Sequence, residues 1–266
     1  MSYLLMRAVS KPGWAARKAY LWGRSIAGLQ RSDVVMAFYP KTGSTWVRIV
    51  LYNLLAAQRG LVASDFDFDS VDASMPEFAH PSFFRASPFP DVARTIKTHR
   101  PYVPFWRGHK SIVFTREPRD TMVSFLHYAN AKKEFGFSGG LDDLLRHPDM
   151  GLDSYFRFYC SWVDKAGLIV SYEDLRRSPV ETFRCLLDYI GIEASEDELE
   201  AALEASSLEK TRKAQAQSSK AFQSKFAEGF VFARKGSVGE GRQIFGADQE
   251  AFFQSRRRHW GFDLYD

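Results

Sequence analysis

The stretch Val34–Val50, VVMAFYPKTGSTWVRIV, decides how the chain is read. A β-branched and aromatic run from Val34 to Tyr39 meets a turn at Pro40, and an apolar-periodic segment opens at Ser44 or Thr45. The pattern is strand, tight loop, helix. In such a unit the loop N–H groups and the helix N-terminus converge on one point, which suits an anion. Lys41 adds positive charge, Gly43 permits close backbone approach, and Ser44 and Thr45 offer hydroxyls. The unit is P-loop-like, yet it is not a G-x-x-x-x-G-K-[ST] loop, because its lysine precedes the glycine. A nucleoside triphosphate is therefore not its first expected ligand.

The remainder of the chain supplies more strand ends of the same kind. Strand-like runs at Ala93–Thr98 and Lys110–Thr115 lead into His99 and Arg116, and Gly167–Ser171 leads into Tyr172. Helices are expected from Pro118 to about Lys133, Leu152 to Lys165, Pro179 to Tyr189, Ser195 to Leu203 (opened by a Ser195/Glu198 capping box) and Ala247 to Trp260. Strands alternating with helices, without internal repeats, give one α/β domain with a parallel sheet flanked by helices. Ligands of such sheets bind beyond the carboxyl ends of the strands, so Lys41, His99, Arg116 and Tyr172 should share one edge.

With 266 residues the chain fits a single large domain, assigned to 33–266 and preceded by a basic amphipathic segment, 1–32. That segment carries Arg7, Lys11, Arg17, Lys18, Arg24 and Arg31 with no Asp or Glu, among Leu4, Leu5, Trp14, Tyr20, Leu21, Trp22 and Ile26. It suits either a membrane surface, as a peripheral contact, or the domain's own surface. No run of about 18 apolar residues occurs, which points to a soluble, cytoplasmic protein. Cys160 and Cys185 lie in apolar helical stretches and read as buried free thiols. The histidines lack metal-ligand spacing, so no metal is expected, and no nucleic-acid partner is implied. Residues 59–90 form a long Phe- and Pro-rich excursion that suits a folded flap over an active site, and 206–225 reads as a lid. The flap and Phe105, Trp106, Phe135, Phe137, Tyr155 and Phe230 are candidate walls of an apolar cavity.

These motifs resemble those of the sulfotransferases that use 3′-phosphoadenosine 5′-phosphosulfate (PAPS). YPKTGSTW is similar to their 5′-phosphosulfate loop, IKTH to the strand end bearing the catalytic histidine, and FTREPRDTMVS to their 3′-phosphate segment. SYEDL resembles an adenine-side segment, and RKGSVGEGR the glycine-rich C-terminal motif. The order of all five is the family's. The resemblance implies that Lys41, Thr42, Gly43, Ser44 and Thr45 hold the 5′-phosphosulfate and that Trp46 stacks near the adenine. It implies Arg116, Ser124, Arg234, Lys235 and Gly236 around the 3′-phosphate, Tyr172 near the base, and Ser206 and Leu208 at a further adenine contact. Where the family usually has Asp-Trp-Lys after the second glycine, this chain has Glu240, Gly241 and Arg242. The Lys-Thr-Val dimer motif of animal cytosolic members is absent near the C-terminus.

The residue chemistry agrees with that implication. A dianionic phosphate is matched by arginine and hydroxyl donors. A hydroxyl acceptor must lose a proton as sulfur is attacked, and an imidazole such as His99 can take it. Lys41 is suited to meet charge on the departing oxygen, and Lys97, two residues before His99 on the same strand face, to steady sulfuryl oxygens. The expected activity is transfer of a sulfuryl group from PAPS to a hydroxyl, or less readily an amine, of a small or lipid-like acceptor such as an apolar alcohol or phenol. The alternatives are a P-loop nucleotide kinase or other phosphotransferase, and a non-catalytic nucleotide-binding protein. The kinase reading is weakened by Arg116 standing where a magnesium-binding Asp would end the third strand.

Overall fold

A computed structural model describes residues 12–61, 66–218, 220–232 and 234–265. Leu4, Leu5, Arg7 and Lys11 lie outside the described residues. Four parallel strands, β1 (Val34–Phe38), β2 (Thr95–Thr98), β3 (Lys110–Thr115) and β4 (Leu168–Ser171), lie in the order β2-β1-β3-β4. Val34 pairs with Thr95 on one side and with Lys110 on the other, and Thr115 pairs with Ser171. The registers bring all four carboxyl ends to one edge. β1 lies between two neighbours that follow it in sequence, so the crevice expected at such a switch in strand order opens above it.

The period of two in a strand sorts the sheet into two cores. Val35, Ala37, Ile96 and Val113 face one layer, with α4 (Pro118–Ala131), α6 (Leu152–Trp162) and α13 (Ala247–Trp260). Val34, Met36, Phe38, Ile112 and Phe114 face the other, with α2 (Ser44–Ala57), α8 (Pro179–Ile190) and α9 (Glu196–Ala205). Both faces are covered, which is why all five residues of β1 are buried and read as a continuous apolar run. Pro179 stands in the first turn of α8 and Gly191 closes it in the left-handed region. Ser195 and Glu198 make the reciprocal capping bonds expected for α9.

The first helix, α1 (Pro12–Ala27), lies against the domain. Leu21 and Ser25 are buried, and the Trp22 ring meets Phe78 edge-on at 5.2 Å. The flap contains α3 (Phe68–Ser74) and a 3₁₀ turn at Pro81–Phe84, and Pro76–Phe78 runs along the outer edge of β2 through Lys97 N–H to Pro76 O and Phe78 N–H to Lys97 O, both 2.9 Å. Two short helices, α5 (Leu141–Leu145) and α7 (Tyr172–Arg177), complete the connections around β4. The expected lid is ordered into α10 (Leu208–Ala216) and α11 (Lys220–Gln223), followed by α12 (Glu240–Ile244).

The expectation of buried thiols is corrected. Cys160 and Cys185 are free but exposed, because in α6 and α8 the aromatic and leucine positions take the core face and leave each cysteine on the opposite one. Arg256, in the C-terminal arginine run, pairs with Asp153 at 2.6 Å and fastens α13 to α6.

Candidate active site

The β1–α2 loop is held in an uncommon backbone conformation. Lys41 and Gly43 both have positive φ, 74° and 96°, and such a conformation at a non-glycine residue costs on the order of 1 to 3 kcal/mol. A Cβ at Gly43 would stand 3.0 Å from the Tyr172 ring, so the loop can pass that ring only without a side chain. No side chain caps α2, which leaves the first-turn N–H groups facing the crevice. Ser44, Thr45 and Trp46 line it. Thr42 does not. Its hydroxyl donates to Tyr39 O at 2.8 Å and its side chain is fully buried, so it shapes the loop from inside.

The crevice deepens into a cavity of about 690 Å³. At one end the Arg116 guanidinium carbon lies over the Tyr172 ring, 4.3 Å from its centre, and the side chain donates to Lys41 O (3.0 Å) and Ser237 O (3.1 Å). Its buried Nε has no partner among the described residues. Ser124, Trp46, Arg176, Ser206, Leu208 and Gly236 line this end too, Trp46 lying edge-on to Phe183 at 5.9 Å and beneath Arg176 at 5.4 Å. The Ser206 hydroxyl is buried, donating to Ala202 O and accepting from Asn53. Arg234 holds both oxygens of Glu240 (3.1 and 2.6 Å), and Lys235 reaches the same carboxylate at 2.8 Å. The Arg234 hydrogen bonds outweigh burial and, with Lys235, hold the Glu240 carboxyl at about 2.

Gly241, standing where the resembling family has tryptophan, has a structural reason. A Cβ there would fall 2.3 Å from the Arg119 carbonyl carbon. This close approach lets the N–H groups of Gly239 and Gly241 donate to the two Asp120 oxygens, at 2.7 and 2.5 Å. The C-terminal motif is thereby fixed to the start of α4.

Lys41 Nζ lies in the middle of the cavity, 4.9 Å from the centre of the Tyr128 ring and 5.8 Å from that of Phe232. Burial, with Arg116 and Arg234 nearby, lowers its pKa to about 8. An anion placed there reverses that shift.

His99 follows β2 and is 2.7 Å from Phe38 O through Nδ1. A carbonyl only accepts, so Nδ1 carries the proton and Nε2 keeps its lone pair. Burial and then Lys97 push the His99 pKa down to about 4, against the opposing pull of Glu77, so the ring is neutral near pH 7. Lys97 lies beside it but is paired with Glu77 at 2.8 Å. Burial works against the Glu77 charge, yet Lys97 and His99 hold its pKa well below the usual carboxylate range.

The far end is aromatic, with walls of Phe68, Tyr128, Phe222, Phe226 and Phe232. Phe68 stacks on Phe222 at 5.0 Å, and Phe226 meets Phe232 edge-on at 4.8 Å. Of the individual rings expected here, Phe230 reaches this cluster behind Phe226 at 4.9 Å and Phe135 meets Tyr128 edge-on at 5.7 Å. Trp106 and Tyr155 are core, and Phe105, Phe135 and Phe137 pack against that core. The sequence reading also missed Arg48, buried and paired with Asp72, and Glu77, Tyr128, Lys132 and Arg176. Arg48 stands four residues after Ser44, and Tyr128 and Lys132 four and eight after Ser124, so helical spacing was the available signal. Glu77 had none, since its place depends on the flap's course along β2.

Strand ends, an uncapped helix N-terminus and clustered arginines together suit a ligand that carries phosphate or sulfate groups. A sulfotransferase domain model matches residues 31–260, and the chain belongs to that family. Sulfotransferase 6B1 of Pan troglodytes is 27% identical over 232 residues, covering 83% of this chain and 73% of that protein. Sulfotransferase 4A1 of Homo sapiens is 25% identical over 191 residues, covering 65% and 64%. Retinol dehydratase in complex with androsterone and the inactive cofactor PAP shares the fold with a TM-score of 0.68 at 19% identity, over 88% of this chain and 82% of that one. Mouse sulfotransferase SULT7A1 complexed with PAP gives 0.66 at 19%, over 90% and 88%. The chain is a PAPS-dependent sulfotransferase, and the kinase alternative falls away. The cradle fits such a donor: the unpartnered Arg116 Nε, the uncapped α2 and the cavity-facing Lys41 are donors of the kind a bisphosphorylated nucleotide requires. Among the described residues no helix is long and apolar enough to cross a membrane, and no cluster of metal-ligating side chains occurs.

Proposed function

We propose that the acceptor is an apolar small molecule bearing a hydroxyl, with His99 as the general base. PAPS supplies an activated sulfuryl group. Lys41, Ser44, Thr45 and the α2 N–H groups hold the phosphosulfate end, and Arg116, Ser124, Arg234, Lys235 and Gly236 the 3′-phosphate. Trp46, Tyr172, Ser206 and Leu208 flank the base. His99 Nε2 takes the acceptor proton as the new oxygen–sulfur bond forms, and the Phe38 carbonyl stabilises the resulting imidazolium through Nδ1. Lys41 offsets charge on the departing oxygen. Lys97, held by Glu77, keeps positive charge beside His99 and steadies sulfuryl oxygens.

The observation that carries this reading is the His99 Nδ1 contact with Phe38 O at 2.7 Å, which leaves Nε2 as the only basic ring nitrogen. The five-ring wall supports an apolar acceptor, and retinol and androsterone are bound by the structural relative. The test is transfer of radiolabelled sulfate from PAPS to a panel of phenols, sterols and aliphatic alcohols, beside matched amines. Preference for amines, or transfer only to polar sugars, would overturn the acceptor assignment.

A further inference from the structure

The cavity holds more positive charge than the nucleotide chemistry uses. Ser124, Tyr128 and Lys132 recur every fourth residue of α4 and its C-cap, and all three line the cavity, so they form a row about 12 Å long. Ser124 is one turn from Asp120, which holds the C-terminal motif. Tyr128 lies under Lys41. Lys132 stands at the aromatic end, its Nζ 4.6 Å from the centre of the Phe226 ring. Lys225 reaches the same end, 5.6 Å from the Phe222 centre. Its segment is fixed there by backbone bonds from Lys133 N–H to Lys225 O (3.1 Å) and from Ala227 N–H to Ala131 O (2.8 Å).

The two other cations of this end are engaged, Arg48 with Asp72 and Lys97 with Glu77. Neither Lys132 nor Lys225 forms a salt bridge with a described residue, although the Glu134 charge acts on Lys132 without a salt-bridge contact and the two lysines repel each other. Lys132 is half-buried and Lys225 exposed where they line the cavity, and the few polar groups of an otherwise apolar site fix a ligand's orientation. We infer that Lys132 and Lys225 read a carboxylate on the acceptor, remote from the hydroxyl presented to His99, so the preferred acceptor is a hydroxylated aromatic or aliphatic acid. Its hydrocarbon part lies among Phe68, Phe222 and Phe226, and its acid group meets the lysines past those rings. Burial lowers the Lys132 pKa, a shift that a bound carboxylate opposes.

This inference rests on the acceptor reading given above, and binding separates the two. 4-Hydroxyphenylalkanoic acids of increasing chain length, and their methyl esters, are titrated calorimetrically into the full chain saturated with PAP. At the chain length that spans the cavity the acid binds about tenfold or more tightly than its ester. The Lys132→Met, Lys225→Met double variant brings that ratio close to one, Lys132→Arg retains it, and PAP affinity is the same in all three. Equal binding of acids and esters across the series, or a ratio that survives in the double variant, overturns the inference while leaving phenol binding intact. A protein that binds PAP but no phenol, acid or ester, overturns both.

Discussion

The two ends of the cavity are built on different principles. The nucleotide end hangs on the carboxyl ends of β1, β3 and β4, and its cations outnumber its carboxylates, Glu240 standing against Lys41, Arg116, Arg176, Arg234 and Lys235. The acceptor end is walled by flap and lid, with aromatic rings and two kinds of cation: Lys97 and Arg48 matched to Glu77 and Asp72, and Lys132 and Lys225 without a salt bridge among the described residues. Rigid strand ends fix a ligand common to a family, whereas variable loops choose what receives the transferred group. His99 stands at the junction, on a strand end but facing the flap through Glu77.

That placement separates chemistry from nucleotide binding, and the largest expected effect tests it. His99→Asn should lower the transfer rate by roughly 10² to 10⁴ while leaving PAP affinity unchanged, as measured by labelled-sulfate transfer and calorimetry. A wild-type rate would remove His99 from the mechanism.

Lys41→Met attacks the nucleotide end directly. Loss of one charge-assisted contact should weaken PAP binding about 10- to 100-fold at neutral pH. The pH dependence gives a sharper reading. In the ligand-free protein the Lys41 pKa is lowered to about 8, and a neighbouring dianion favours the protonated form. Binding then takes up a proton above that pH, so PAP affinity falls as pH rises through about 8. The Lys41→Met profile should be flat there; an unchanged slope would assign the effect to another group.

The same division governs what could be read from the sequence. Val34–Val50, His99 and Arg116 were legible because a strand followed by a turn fixes direction, and register then brings four strand ends together. β3 has its expected limits, while β2 is shorter because Arg94 turns aside to pair with Asp33. The cavity walls were legible only in part, through the flap that carries Phe68 and through Phe230. Phe68, Phe222 and Phe232 come from segments with weak periodicity, and their meeting depends on how flap and lid cross. Phe105 and Tyr155 carry the same composition signal but fill the core. Aromatic content alone does not tell a wall from a core.

Gly241 tests the attachment of the C-terminal motif. In Gly241→Ala the added methyl overlaps the Arg119–Asp120 backbone, which cannot move like a flexible side chain. The expected cost is about 1 to 3 kcal/mol in urea unfolding, together with weaker PAP binding as Arg234 and Lys235 shift. Unchanged stability would mean that α12 is free to slide along α4.

Phe222→Ala probes the opposite end. Removing one ring from the wall should raise the acceptor KM about tenfold and leave PAP affinity alone. A matching loss of PAP binding would show that lid and nucleotide end act as one unit, and the contrast between them would fail.

The smallest effect is expected at Glu240, where the sign carries the information. Its carboxylate occupies both Arg234 Nη atoms and Lys235 Nζ, so it organises these two cations and also places a negative charge where the proposed function puts a phosphate dianion. Glu240→Gln keeps the size and one acceptor oxygen but removes that charge. Since Gly239 and Gly241 on either side remain tied to Asp120, the loop should hold its shape without the full ion pair. PAP should then bind a few-fold more tightly, most visibly at low ionic strength where charge repulsion is least screened. Weaker binding would mean that Glu240 is needed to aim the two cations, and that the nucleotide end depends on its paired carboxylate as the acceptor end does.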